Sequence, residues 1–131
     1  MPLHLARAGA FKTEPVPDPR VFTTRGILAG VPGRPEAIPV PGHTPGSTAF
    51  AWPEYGVVFT GDALVTADGL TGATGPQLVN RGFTHDSAAA RDSLGTLARL
   101  SGYQVVLPGH GKPVTTGIAG AAGQARQAHI A

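Results

Sequence analysis

The chain has 131 residues, 41% of them hydrophobic and 14% charged, with a formal net charge of +2. That length suits one domain over residues 1–131 with a genuine core, and the composition is globular rather than disordered. With no run of Lys or Arg and no stretch of about 20 apolar residues, the sequence argues against nucleic-acid partners and a membrane span, and points to a cytoplasmic protein.

Cysteine is absent, which removes disulfides and thiolate sites and leaves His and carboxylates as the available metal-binding chemistry. The N-terminus lacks the basic-then-apolar pattern of a signal peptide. Nineteen glycines and thirteen prolines imply many turns and short elements.

In chain order, Pro15, Pro17 and Pro19 make the lead-in extended. Residues 21–29 are predicted as a strand bent at Gly26. Residues 37–40 form a short strand, placed at an edge by Pro39. Residues 47–52 and 57–60 are predicted as a hairpin across the turn 53–56. Residues 63–66 extend a strand, and 68–76 read as a flexible loop. Asp86 caps a helix over 87–101, with Ala90, Leu94, Leu97 and Ala98 inward, Arg91, Asp92 and Arg99 in water, and Gly102 as the stop. Residues 104–107 are a short buried strand. Residues 118–130 form an Ala-rich helix weakened by Gly120 and Gly123.

Three phrases share one design. Pro41-Gly42-His43-Thr44-Pro45-Gly46, Thr60-Gly61-Asp62 and Pro108-Gly109-His110-Gly111 each set a potential ligand just after a glycine, at the end of an apolar run. Ligands on bent loops at strand ends are how α/β proteins assemble a site at one sheet edge. Taken alone, each has a plainer reading: a loop imidazole in solvent, or a carboxylate bracing a turn. The joint pattern favours a site.

The remaining candidates read as structural. His85 is a loop residue before the helix cap, His129 a solvated terminal residue and His4 a mobile one. Lys112 lacks the glycine spacing and following hydroxyl of a phosphate loop. Trp52 and Tyr55 pack around a turn. Thr44 and Ser47 satisfy a turn and have no His-Asp relay to activate them, so no catalytic nucleophile is assigned.

The residues Val40-Pro41-Gly42-His43-Thr44-Pro45-Gly46-Ser47, Val57-Val58-Phe59-Thr60-Gly61-Asp62 and Val106-Leu107-Pro108-Gly109-His110-Gly111 resemble, in order and spacing, the C-terminal half of a metallo-β-lactamase-fold hydrolase. The resemblance covers about residues 25–115. It implies an α+β or α/β fold: half of an αββα sandwich, a mixed sheet with flanking helices. It implies that His43 binds one metal ion, that Asp62 bridges two, and that His110 binds the second. Zinc is the expected ion, one or two of them, with manganese or iron as alternatives. Metal-activated water would then attack a small-molecule ester, thioester, lactam or phosphoester.

The family's His-x-His-x-Asp-His motif has no counterpart upstream of His43, and the N-terminal half of the sandwich is expected to be missing. Two expectations follow. The apolar sheet face should be covered by a second copy of the chain or by a chain supplying the missing half, unless the sequence is a truncated reading of a longer gene and folds poorly; self-association or truncation is favoured over a dedicated partner. The function is then a metal-dependent hydrolase, incomplete as this chain alone; the alternative is a non-catalytic metal-binding or interaction module derived from that fold.

Overall fold

The protein is described from a computed structural model, covering Gly9 and residues 12–128. The readings of His4 and His129 lie outside the described residues. Seven strands are found among them: β1 Gly26–Ile27, β2 Glu36–Pro39, β3 Thr48–Trp52, β4 Val57–Gly61, β5 Val65–Ala67, β6 Thr74–Gln77 and β7 Val105–Pro108. Two α-helices, α1 Ser87–Ala98 and α2 Ile118–Gln127, complete the frame.

One mixed sheet has the order β1-β2-β3-β4-β7. Its first three pairings are antiparallel and β4 runs parallel to β7. Consequently β2, β4 and β7 all point the same way, and the loops after them gather at one edge. Alternation fixes the faces. Ile38, Ala49, Ala51, Val58 and Val106 point to the side where Leu94 and Leu97 of α1 and Ile118, Ala121 and Ala122 of α2 close the core. The opposite face carries the cross-strand row Ala37, Phe50, Phe59 and Leu107. Phe59 packs edge-to-face on Trp52 with ring centres 5.3 Å apart, yet it stays 44% exposed.

The mixed sheet with helices on one face is the α+β half-sandwich anticipated from the sequence, and the structural relatives described below share that fold. The 48–52/57–61 hairpin, the strand before His110 and the Asp86 cap are all in place; the Asp86 carboxylate accepts from the N–H groups of Ala88 and Ala89 at 2.9 Å. The α2 helix forms despite Gly120 and Gly123. Its Ala121, Ala122 and Ala125 face packs into the core, and that burial outweighs the propensity penalty of about 1 kcal/mol per glycine.

Four expectations need correction. Residues 37–40 are not an edge strand: β2 pairs with β1 on one side and β3 on the other, and Pro39 is tolerated because β1 pairs only with Glu36 and Ala37. The strand over 21–29 shrinks to Gly26–Ile27, because β2 offers it a short edge and Val21 is 85% exposed with no partner strand. Residues 63–66 do not run on from β4: a turn at Asp62 intervenes and β5 begins at Val65. The loop at 68–76 is in part a strand, since Thr74–Gln77 pairs antiparallel with β5. Gly75 and Pro76 hid it. Proline is tolerated there because the ribbon has only two strands and leaves an unpaired edge.

Candidate metal centre

Each candidate loop is shaped by its neighbours in sequence and then pinned from outside. Gly42 (φ 144°) carries the chain past α1 so closely that a Cβ would stand 2.3 Å from the Ala90 backbone. The residues before α1 and the middle of α1 hold that loop: His85 N–H donates to the His43 carbonyl at 3.1 Å, Asp86 N–H to the Gly42 carbonyl at 2.9 Å, and the Ser93 hydroxyl to the Pro41 carbonyl at 2.7 Å. Thr44 and Ser47 bond each other across the turn, Oγ1 to Oγ 2.9 Å, as their turn-bonding reading requires.

At the end of β4 the ladder shifts between Phe59 and Gly61, and Gly61 takes φ 53°. Such an irregularity re-aims the following side chain. Here it turns Asp62 toward the edge where His43 and His110 lie. The β7 loop is fastened to it by Gly109 N–H donating to the Gly61 carbonyl at 2.8 Å. Thr66, 7% exposed, donates its hydroxyl to the Lys112 carbonyl at 2.7 Å and its N–H to the His110 carbonyl at 2.8 Å.

The result is a carboxylate between two imidazoles. His43 Nε2 lies 3.4 Å from Asp62 Oδ2, and His110 Nε2 lies 3.4 Å from Asp62 Oδ1. The structure thus brings together all three residues singled out in the sequence. His43 and Asp62 are recessed, with side chains 23% and 28% exposed, whereas His110 is 66% exposed. His43 Nδ1 is buried and has no hydrogen-bond partner among the described residues. His85 contributes only its backbone and stays outside the site.

A cavity of about 400 Å³ opens beside the three residues. Leu70, Val79 and Phe83 also line it, together with Asp68 and Asn80. None of these five was singled out as a site residue, although Asp68 and Leu70 lie in the 68–76 loop marked from its composition. The only available signal was large apolar residues, Leu70 and Phe83, placed in otherwise Gly- and Thr-rich stretches.

The sequence model of the metallo-beta-lactamase superfamily matches residues 3–110. The chain belongs to that superfamily. Among solved structures, this superfamily member is similar to a metallo-beta-lactamase family protein from Thermus thermophilus, with 24% identity, TM-score 0.68, and coverage of 93% of this chain and 38% of that one. A metallo-beta-lactamase from Pontibacter korlensis gives 22% identity, TM-score 0.64, and coverage of 95% and 55%. The protein TTHA1623, solved in a di-iron-bound form, gives 31% identity, TM-score 0.58, and coverage of 89% and 54%. The chain therefore spans roughly two-fifths to just over half the length of these superfamily structures. No curated protein matches it.

The donor set suits a metal in kind. Imidazole nitrogen and carboxylate oxygen bind zinc, manganese and iron, and the two oxygens of Asp62 each face a different imidazole. That disposition suits a shared carboxylate rather than three donors on one ion. Among the described residues no three His, Asp or Glu side chains converge as a ready cluster, so one ion held by all three would require them to move.

Proposed function

We propose that His43, Asp62 and His110 are metal ligands of a hydrolase, with Asp62 shared between two divalent ions, zinc in the first instance and manganese or iron as alternatives. The observation that carries this reading is the split of the Asp62 carboxylate, one oxygen to each imidazole at 3.4 Å. The similarity to a protein solved with two irons adds support. When bound, such ions supply a water acidified toward neutrality and a Lewis acid for a carbonyl or phosphoryl oxygen.

The chain's own residues do the positioning. Gly109 packs against the Asp62 carboxylate and bonds the Gly61 carbonyl, α1 holds the His43 loop, and Thr66 holds the His110 loop. The cavity next to them holds a small-molecule substrate against the reacting centre.

Two donors per ion fall short of the three usual in catalytic zinc sites. That shortfall supports completion of the site by another polypeptide, either a second copy of this chain or a chain carrying the His-x-His-x-Asp-His motif. Sedimentation of the purified chain distinguishes them: a monodisperse monomer argues against the second copy.

The second reading, a non-catalytic metal-binding or interaction module, is favoured by the absence of a three-donor cluster among the described residues. Zinc titration by calorimetry, paired with assays on ester, thioester, lactam and phosphoester substrates, decides between them. The hydrolase reading expects zinc-dependent turnover that His110→Ala abolishes. Zinc binding without turnover, even after the covering chain is supplied, selects the module. Purified protein that takes up no zinc, manganese or iron removes both metal readings.

A further inference from the structure

The cavity beside the three ligands is chemically mixed. Its lining combines His43, Asp62 and His110 with the large apolar side chains of Leu70, Val79 and Phe83. Leu70 is 65% exposed and Phe83 62%, so two large apolar side chains flank one opening in contact with water. They come from different segments, the turn after β5 and the stretch before α1, and meet only in the folded chain. Neither is needed for the core, whose buried cluster excludes both. A volume of about 400 Å³ is enough for a ring-sized group.

Charge narrows the occupant. No Lys or Arg lines the cavity among the described residues. The one carboxylate there besides Asp62 is Asp68, and it is fixed: its Oδ1 accepts from Leu70 N–H at 2.8 Å and from Thr71 N–H at 3.4 Å. The Leu70 N–H bond holds its carboxyl below the ordinary range, so it is anionic at neutral pH. The same bond sets the backbone that presents Leu70. An anionic group remote from the reacting centre would find no cation here and would face Asp68. An apolar group would cover surface that is otherwise wet.

We infer that this cavity is a specificity pocket that seats an uncharged, apolar arm of the substrate on Leu70, Val79 and Phe83 and turns away substrates whose arm is anionic. The inference names a substrate class for the hydrolase proposed above and rests on that reading for the word substrate. The binding preference itself does not depend on metal. Leu70 and Phe83 act by contact with the arm, and Asp68 is a positioning residue that shapes the turn and adds a repulsive charge.

The test uses the whole chain, freed of metal with chelator, and two probes that differ by one charge: 4-phenylbutan-1-ol and the same molecule with a carboxylate on the ring. NMR shifts at Leu70, Val79 and Phe83 report binding, and a separate zinc titration follows the ligands. The expected result is that the alcohol shifts these three residues and binds about ten-fold or more tighter than its carboxylate analogue. Leu70→Ser and Phe83→Ser should each weaken the alcohol by roughly five-fold and leave the zinc affinity unchanged. Equal or tighter binding of the carboxylate, shifts elsewhere, or no shift at all overturns the inference. Loss of zinc binding with alcohol binding intact overturns the hydrolase reading and leaves the pocket standing; the reverse outcome does the opposite.

Discussion

Gly109 and Asp62 fit against each other with no room to spare: a Cβ on Gly109 would stand 2.0 Å from Asp62 Oδ1 and 2.8 Å from the Gly61 carbonyl carbon. The glycine before His110 is there for clearance. It lets the β7 loop lie against the carboxylate that reaches both imidazoles, and its N–H bonds Gly61 at 2.8 Å.

Gly109→Ala should therefore push Asp62 away from His110. We expect a zinc affinity at least about ten-fold lower and a stability loss of roughly 1–3 kcal/mol from overpacking. Gly46→Ala, where a Cβ meets nothing within 4 Å, is the control and should leave both unchanged. Calorimetry and thermal melts of the two variants check this. Equal behaviour would show that the loop can retreat freely.

Ser93 ties the middle of α1 to the His43 loop through its 2.7 Å bond to the Pro41 carbonyl. Ser93→Ala leaves that carbonyl without its partner. The expected loss is about 1–2 kcal/mol, read as a lower urea midpoint with unchanged slope.

The Asp86 cap serves the same loop from the helix end. Asp86→Ala removes the acceptor for Ala88 and Ala89 and should cost about 1 kcal/mol. Because Asp86 N–H also bonds Gly42, the amide signals of residues 42–44 should shift as well. Asp86→Asn, which can still cap, should restore most of the stability.

Tyr103, 8% exposed, has its phenol pushed above its usual 10.0, chiefly by burial. The folded state therefore holds this proton more tightly than the unfolded chain does. Its contribution is intact below pH 10 and is lost as pH rises through the folded-state value, so stability should fall on the alkaline side above pH 10. Tyr103→Phe should flatten that limb in denaturation curves collected across the window. An unchanged slope would place the loss elsewhere.

Asp68 has the opposite sign. Its carboxyl is held low by the Leu70 N–H bond, so the turn it braces is secure above its ordinary value of 3.8 and loosens as pH falls through the lowered one. Hydrogen-exchange protection at Leu70, relative to the intrinsic rate, should fall in that acid window, and Asp68→Ala should show the reduced protection already at neutral pH.

The linear chain marked the three candidate ligands because glycine and proline mark the places where a strand must stop and bend. Gly42, Gly61 and Gly109 flag His43, Asp62 and His110 through a local constraint, and local constraints are written in adjacent residues. The Asp86 cap and the inward stripe of α1 were legible for the same reason. The β5–β6 pairing was not, since Gly75 and Pro76 have poor strand propensity and only the partner strand makes Thr74–Gln77 extended.

Composition and periodicity set the element types, the one-sided burial of the sheet and the chemistry on offer. Only the folded chain decided that β2, β4 and β7 run in the same direction, so that three loops meet at one edge and the two oxygens of Asp62 each find an imidazole. Strand direction follows from which strands pair, and pairing is a long-range choice made by the burial of the whole sheet against α1 and α2.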